Sequence, residues 1–214
     1  GWVRDNRLAL NIRVVNLSLS SSVAQSYKID PLDAAVELLW LNGITVVVAA
    51  GNSADAFSFA PANDPFVITV GATDEHGTPD PADDSIAPWS SRGVTLDGFA
   101  KPEVYAPGVG IVAAISPSSL IAKVFPGGTV DSGHNVVRYR MSGTSMATGV
   151  VSGAAALLVQ RHPEWSPGQV KQALIDSAHA AGDDAPKIRV DGAINTTPSD
   201  ASAGLVPNYL LLDA

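Results

Sequence analysis

Residues 44–50, Ile-Thr-Val-Val-Val-Ala-Ala, carry no charge and no regular polar–apolar alternation. A strand that is apolar on both faces has to be covered on both faces, as an interior strand of a parallel sheet is. What flanks this run fits that role. Arg13–Leu19 reads as another buried strand. A helix follows, with Asp30 as N-cap, Pro31 at its first position, and a stripe of Leu32, Ala35, Val36, Leu39 and Trp40 that ends at Gly43. Phe66–Val70 reads as a third strand. Strand, helix and strand in this order form a βαβ unit.

The rest of the chain is expected to extend this α/β layout. A helix is expected from about Ser145 to Arg161, rich in the small residues Ala147, Gly149, Gly153 and Ala154–Ala156. Another opens at Ser166-Pro167-Gly168-Gln169, a capping box with Pro at the first helical position. Residues 74–103 read as surface loops and 116–138 as an irregular excursion. Tyr209–Leu212 reads as a short closing strand. With 46% hydrophobic and 16% charged residues the chain can bury a core. Its net charge of −8 argues against a nucleic-acid partner, because phosphate affinity comes from Lys and Arg. The absence of Cys excludes disulfides and thiolate metal sites. No apolar run approaches the ~20 residues of a membrane span, and no signal-peptide pattern opens the chain.

Two segments carry chemistry. In Ser142-Gly143-Thr144-Ser145-Met146-Ala147, a Gly and hydroxyl residues lead into a buried helix. Unpaired N–H groups and the positive end of the helix dipole meet there, so a serine at that point is well sited for attack on a carbonyl. The same residues would also serve as plain helix caps. In Ala49-Ala50-Gly51-Asn52-Ser53, an Asn follows the carboxyl end of the strongest strand, where ligand sites of open α/β sheets lie. Asn and Gly there would equally serve as a turn.

Together these segments resemble the subtilisin-like serine peptidases, the subtilase family. Gly143–Ala147 resembles its nucleophile motif, Val47–Asn52 its oxyanion-hole motif, and Asn16-Leu17-Ser18-Leu19 its substrate-binding strand. Thr69-Val70-Gly71-Ala72, Ser90-Ser91-Arg92-Gly93, Lys101-Pro102-Glu103 and Ala106-Pro107-Gly108 follow in family order, and the Ser90 and Lys101 segments look most like a bacterial branch. The resemblance implies a three-layer αβα fold with a mostly parallel central sheet. It implies a serine endopeptidase with Ser145 as nucleophile, Asn52 as oxyanion donor and polypeptides as substrates. Ser18, Leu19, Ser20, Ala49, Ala50, Gly51, Phe59 and Thr144 would bind substrate. No acidic residue stands at these positions, which favours apolar side chains in the specificity pocket. No cofactor is required. Calcium would be structural, held by the Pro65 and Val67 carbonyls and the Asp97 carboxylate. Secretion is favoured over the cytoplasm.

Departures from the pattern matter as much. The family's triad runs Asp, His, Ser along the chain, and neither the Asp nor the His motif is present. His76, His134, His162 and His179 stand in other contexts: His162 reads as a surface residue and His179 as the end of the last helix. Residues 1–214 are therefore expected to form the C-terminal part of one catalytic domain, incomplete at its N-terminal side. Its partner would be an N-terminal remainder carrying the Asp and His. The alternative is a non-catalytic peptide-binding fragment or pseudo-peptidase. A nucleotide-binding domain is disfavoured because no Gly-rich phosphate loop follows the first strand. A sedolisin-type carboxyl peptidase is disfavoured because Asn52 stands where an acid would. After the nucleophile, Thr148-Gly149-Val150 replaces the usual Pro, which predicts looser packing of that helix.

Overall fold

In the computed structural model, residues 1–54, 59–133, 136–181 and 185–212 are described. The chain opens with a short helix α1 (Trp2–Asn6) and strand β1 (Val14–Leu17). Helix α2 (Pro31–Leu41) starts where its code predicts: the Asp30 side chain accepts from the Leu32 and Asp33 N–H groups, and Pro31 occupies the first turn. Strands β2 (Thr45–Ala49) and β3 (Ile68–Asp74) follow, and every residue of β2 is buried.

Residues 74–103 are less irregular than expected. They hold the short strands β4 (Ser85–Ile86), β5 (Gly93–Val94) and β6 (Ala100–Lys101), and Ala87, Ser90 and Ser91 within them are buried. Strand β7 (Val104–Pro107) returns to the main sheet. Residues 116–133 and 136–138 are likewise less irregular than expected. Strands β8 (Ile111–Ile115), β9 (Thr129–Gly133) and β10 (Val136–Met141) make a separate antiparallel sheet in the order β8-β10-β9, with helix α3 (Leu120–Val124) between β8 and β9 in the chain.

Helix α4 (Thr144–Arg161) then crosses the molecule, followed by α5 (Pro167–Ser177) with both arms of its predicted capping box present. Strands β11 (His179–Ala181) and β12 (Ala185–Lys187) and helix α6 (Val190–Ala193) close the core. Tyr209–Leu211 is a 3₁₀ turn and not a strand, because the Asn208 side chain accepts from the Leu210 N–H and starts a helical turn.

The main sheet runs β1-β2-β3-β7-β12-β11, with β4 on the side of β3. All pairs from β1 to β12 are parallel. Helices cover both faces, giving the expected three-layer α/β arrangement. Small residues let α4 lie close to the sheet: Ala147, Val151, Ala154, Ala155 and Leu158 pack against Val47, Val70, Ala72 and Val104. Its opposite side, Gly149, Val150, Gly153, Ala156 and Leu157, is exposed. Thr148 is fully buried and its hydroxyl donates to the Thr144 carbonyl at 2.7 Å, so α4 runs unbroken through the residues that depart from the family pattern. Among the described residues no helix is long and apolar enough to cross a membrane.

Candidate active site

The parallel strands β1 and β2 end side by side, and α4 begins beside them. A cleft of about 510 Å³ opens at that junction, lined by Ser18, Leu19, Ser20, Ala49, Ala50, Gly51, Asn52, Ser53, Phe59, Ser91, Thr144 and Ser145. All ten catalytic and substrate-binding positions singled out in the sequence thus face one space. Ser53 and Ser91 join them. Ser91 is 38 residues from Ser53, yet its Oγ accepts the Ser53 N–H at 3.3 Å and its N–H donates to the Gly51 carbonyl at 3.0 Å. Only its place in the Ser-Ser-Arg-Gly match hinted at this.

Thr144 joins the two motifs. Its N–H donates to Asn52 Oδ1 at 2.9 Å and its hydroxyl to the same oxygen at 3.0 Å; that hydroxyl also accepts the Gly51 N–H at 3.2 Å. Gly51 has φ +106, a conformation that disfavours side chains, and a Cβ there would lie 3.1 Å from Ser91 Oγ. With its oxygen committed to Thr144, the Asn52 carboxamide has its NH₂ as the remaining polar group. A methyl group on Gly143 would sit 3.6 Å from Asn52 Nδ2 and 3.7 Å from the Ser145 nitrogen. The two donors therefore flank one point. The Ser145 N–H belongs to the first turn of α4, where backbone donors have no intrahelical acceptor.

The cleft wall is tied to the same helix. Ser18 Oγ donates to the Ser145 carbonyl at 3.1 Å, Asn16 Nδ2 donates to Ser18 Oγ, and Ser152 Oγ donates to Asn16 Oδ1 at 3.0 Å. On the other side, the Gly143 N–H donates to the Gly108 carbonyl and the Gly110 N–H to Ser142 Oγ, both at 2.9 Å. Ser145 itself is half-buried.

None of the described histidines lines the cleft. His76 Nε2 lies 3.0 Å from Ser85 Oγ at the β3–β4 edge, with Asp74 3.8 Å from its other nitrogen. His162, expected on the surface, is half-buried: it stacks on Trp165 at 3.9 Å between ring centroids and lies 2.9 Å from the Ile194 carbonyl. His179 starts β11 and does not end the preceding helix. His134 lies outside the described residues.

The calcium expectation does not fit this structure. Calcium needs free oxygen ligands, but the Pro65 and Val67 carbonyls accept hydrogen bonds from Lys171 Nζ at 2.7 and 2.9 Å. Asp97 is engaged elsewhere, accepting from Ser26 Oγ and the Tyr27 N–H. Pro65, Val67 and Asp97 thus each have hydrogen-bond donors in place, and no group of metal-ligating side chains is found among the described residues.

Residues 3–197 match the Subtilase family. The chain is similar to serine protease AprX of Bacillus subtilis (strain 168), 44% identical over 172 residues, covering 79% of this chain and 38% of that protein. It is 36% identical over 175 residues to the extracellular serine proteinase of Thermus sp. (strain Rt41A), covering 81% and 34%. Its fold matches the crystal structure of a cold-adapted subtilisin-like serine proteinase with a TM-score of 0.58 and 27% identity, covering 82% of this chain and 52% of that one. The chain thus spans between about a third and a half of the length of these relatives. A Ser at the start of a helix in the cleft, an Asn beside it and a family match over most of the chain agree: this chain belongs to the subtilase family.

Proposed function

We propose that the chain carries the nucleophile and oxyanion half of a serine endopeptidase. Ser145 Oγ attacks the carbonyl carbon of the scissile peptide bond, and its proton passes to a base. The carbonyl oxygen becomes an oxyanion and accepts from the Ser145 N–H and Asn52 Nδ2. The tetrahedral adduct collapses, the amine leaves with the proton, and an acyl-enzyme ester remains on Ser145. Water then repeats the cycle in reverse and frees the acid.

The observation that carries this reading is the placement of Asn52 Nδ2 and the Ser145 nitrogen about one point on Gly143, with Asn52 held by Thr144. The polypeptide would lie extended between Ser18–Ser20 and Ala49–Gly51 by backbone pairing. The described residues lining the cleft carry no charge, and Phe59 forms one wall, so the pocket suits apolar side chains.

A serine hydroxyl needs an adjacent base, and the described histidines lie away from the cleft. The base and its orienting carboxylate are therefore assigned to a further segment of the same protein. Its docking face would be the open side of β1 together with the apolar outer stripe of α4. Secretion is proposed on the likeness to the extracellular Thermus proteinase. The same distance between histidines and cleft favours one second reading, a peptide-binding fragment without turnover.

A fluorophosphonate probe separates the two. In the full-length protein it should label Ser145, and Ser145→Ala should abolish both labelling and peptide hydrolysis. Labelling at another residue, or hydrolysis surviving Ser145→Ala, would contradict the nucleophile assignment. Asn52→Ala should lower kcat by ~10²–10³ with KM little changed, a magnitude taken from the loss of a comparable donor in a subtilisin.

A further inference from the structure

The segment that includes the Phe59 wall continues through Ala60 and Pro61 to Val67, and its backbone carbonyls gather around two buried ammonium groups. Lys171 of α5 is 5% exposed. Its Nζ donates to the carbonyls of Pro65 (2.7 Å), Phe66 (3.3 Å) and Val67 (2.9 Å) and to Glu103 Oε1 (2.5 Å). Lys101 of β6 is 4% exposed. Its Nζ donates to the Asp64 carbonyl (2.6 Å), the Val67 carbonyl (3.5 Å), Thr69 Oγ1 (3.0 Å) and Glu103 Oε1 (2.6 Å). Glu103 Oε2 accepts the Thr69 N–H at 2.9 Å, and Thr69 Oγ1 donates to the Ala62 carbonyl at 2.9 Å.

Several main-chain carbonyls converging with one carboxylate make the oxygen shell that a hard cation requires. Left empty, such a shell would hold aligned dipoles and a buried carboxylate with nothing to oppose them, which is unfavourable. Here a positive charge is already inside it. Burial alone would raise the Glu103 carboxyl, but Lys101 and Lys171 outweigh it and hold the group below its usual range.

We propose that the ammonium groups of Lys171 and Lys101 stand in for a structural cation, so that the 59–69 segment is closed from within the chain and needs no calcium. Removing the Lys171 ammonium should turn the shell of Pro65, Phe66 and Val67 into a cation site. That site would favour a monovalent ion. The one carboxylate bonded to this shell, Glu103, still faces Lys101, so a divalent ion would meet the remaining ammonium.

This proposal is independent of the peptidase reading, and its test reads structure alone. Deuterium uptake of residues 60–70 is followed by mass spectrometry in the full-length protein. In the unaltered protein, uptake should be the same in excess EDTA and in added calcium chloride. Lys171→Met should raise uptake several-fold, and potassium chloride should lower it where choline chloride of equal ionic strength does not. If EDTA raises uptake of this segment in the unaltered protein, a bound metal closes the shell and the proposal fails. It fails also if Lys171→Met leaves uptake unchanged, or if potassium acts no better than choline. Should Lys171→Met not fold, the EDTA comparison on the unaltered protein still decides.

Discussion

Thr144, at the helix start, is bonded to the Gly51-Asn52 segment through its N–H and through its hydroxyl. Thr144→Val removes the hydroxyl and leaves the Gly51 N–H and Asn52 Oδ1 each one partner short. A net hydrogen bond is worth about 0.5–1.5 kcal/mol, so kcat should fall by up to about tenfold, with KM within about twofold. Thr144→Ser should restore most of the rate, which a loss of packing alone would not do; steady-state kinetics on the three proteins checks this. The positions of Ser145 and Asn52 were legible because a strand end followed by Gly-Asn and a helix start at Gly-Thr-Ser are both local signals. The role of Thr144 in joining them was not, because the contact spans 92 residues of sequence.

At the scale of elements, local codes were read well and distant pairing was not. The starts of α2 and α5 follow from Asp30-Pro31 and Ser166-Pro167-Gly168-Gln169, since caps and turn residues act within a few positions. Ser166→Ala should destabilise the protein by ~1 kcal/mol, seen as a lower urea midpoint with unchanged slope. Strand β10 was hidden in an apparently irregular stretch because its order depends on pairing with β8 on one side and β9 on the other. Helix α4 was foreseen, but its two sides meet different fates. Residues such as Ala155 and Leu158 are sealed in the core, while Val150 is 39% and Leu157 is 52% exposed. An apolar stripe of this kind beside the free edge of β1 is a sticky surface. Leu157→Lys should therefore reduce self-association of the 214-residue chain in analytical ultracentrifugation. If the proposed further segment docks on this stripe, the same change should lower the stability of the longer protein.

Across the whole molecule, charge burial is the least legible property. Asp33 on α2 is fully buried, and burial, with Asp64 and Asp30 nearby, pushes its carboxyl up to about 8. Glu37, one turn further on, is raised for the same first reason, burial. A carboxyl raised in the fold stabilises the native state below its unfolded pKa near 4, and that contribution is lost as pH climbs towards the folded value. Stability should thus decline between about pH 4 and 8. With about 1.4 kcal/mol per pKa unit, Asp33→Asn should gain about 2 kcal/mol or more at pH 8 and little at pH 4, measured by urea unfolding at both. In sequence Asp33 looks like any polar helix residue; only the closing of Asn208 and the 3₁₀ turn over α2 seals this region. Lys171 was unreadable for a related reason, since 106 residues separate it from the Pro65 carbonyl it meets. That covalent attachment alters how the fold answers to its surroundings. A free ion escapes by dilution, and its occupancy follows whatever the medium supplies. A side-chain charge has fixed stoichiometry and cannot be washed out, so this corner of the molecule should behave alike in seawater, in citrate and in a detergent bath.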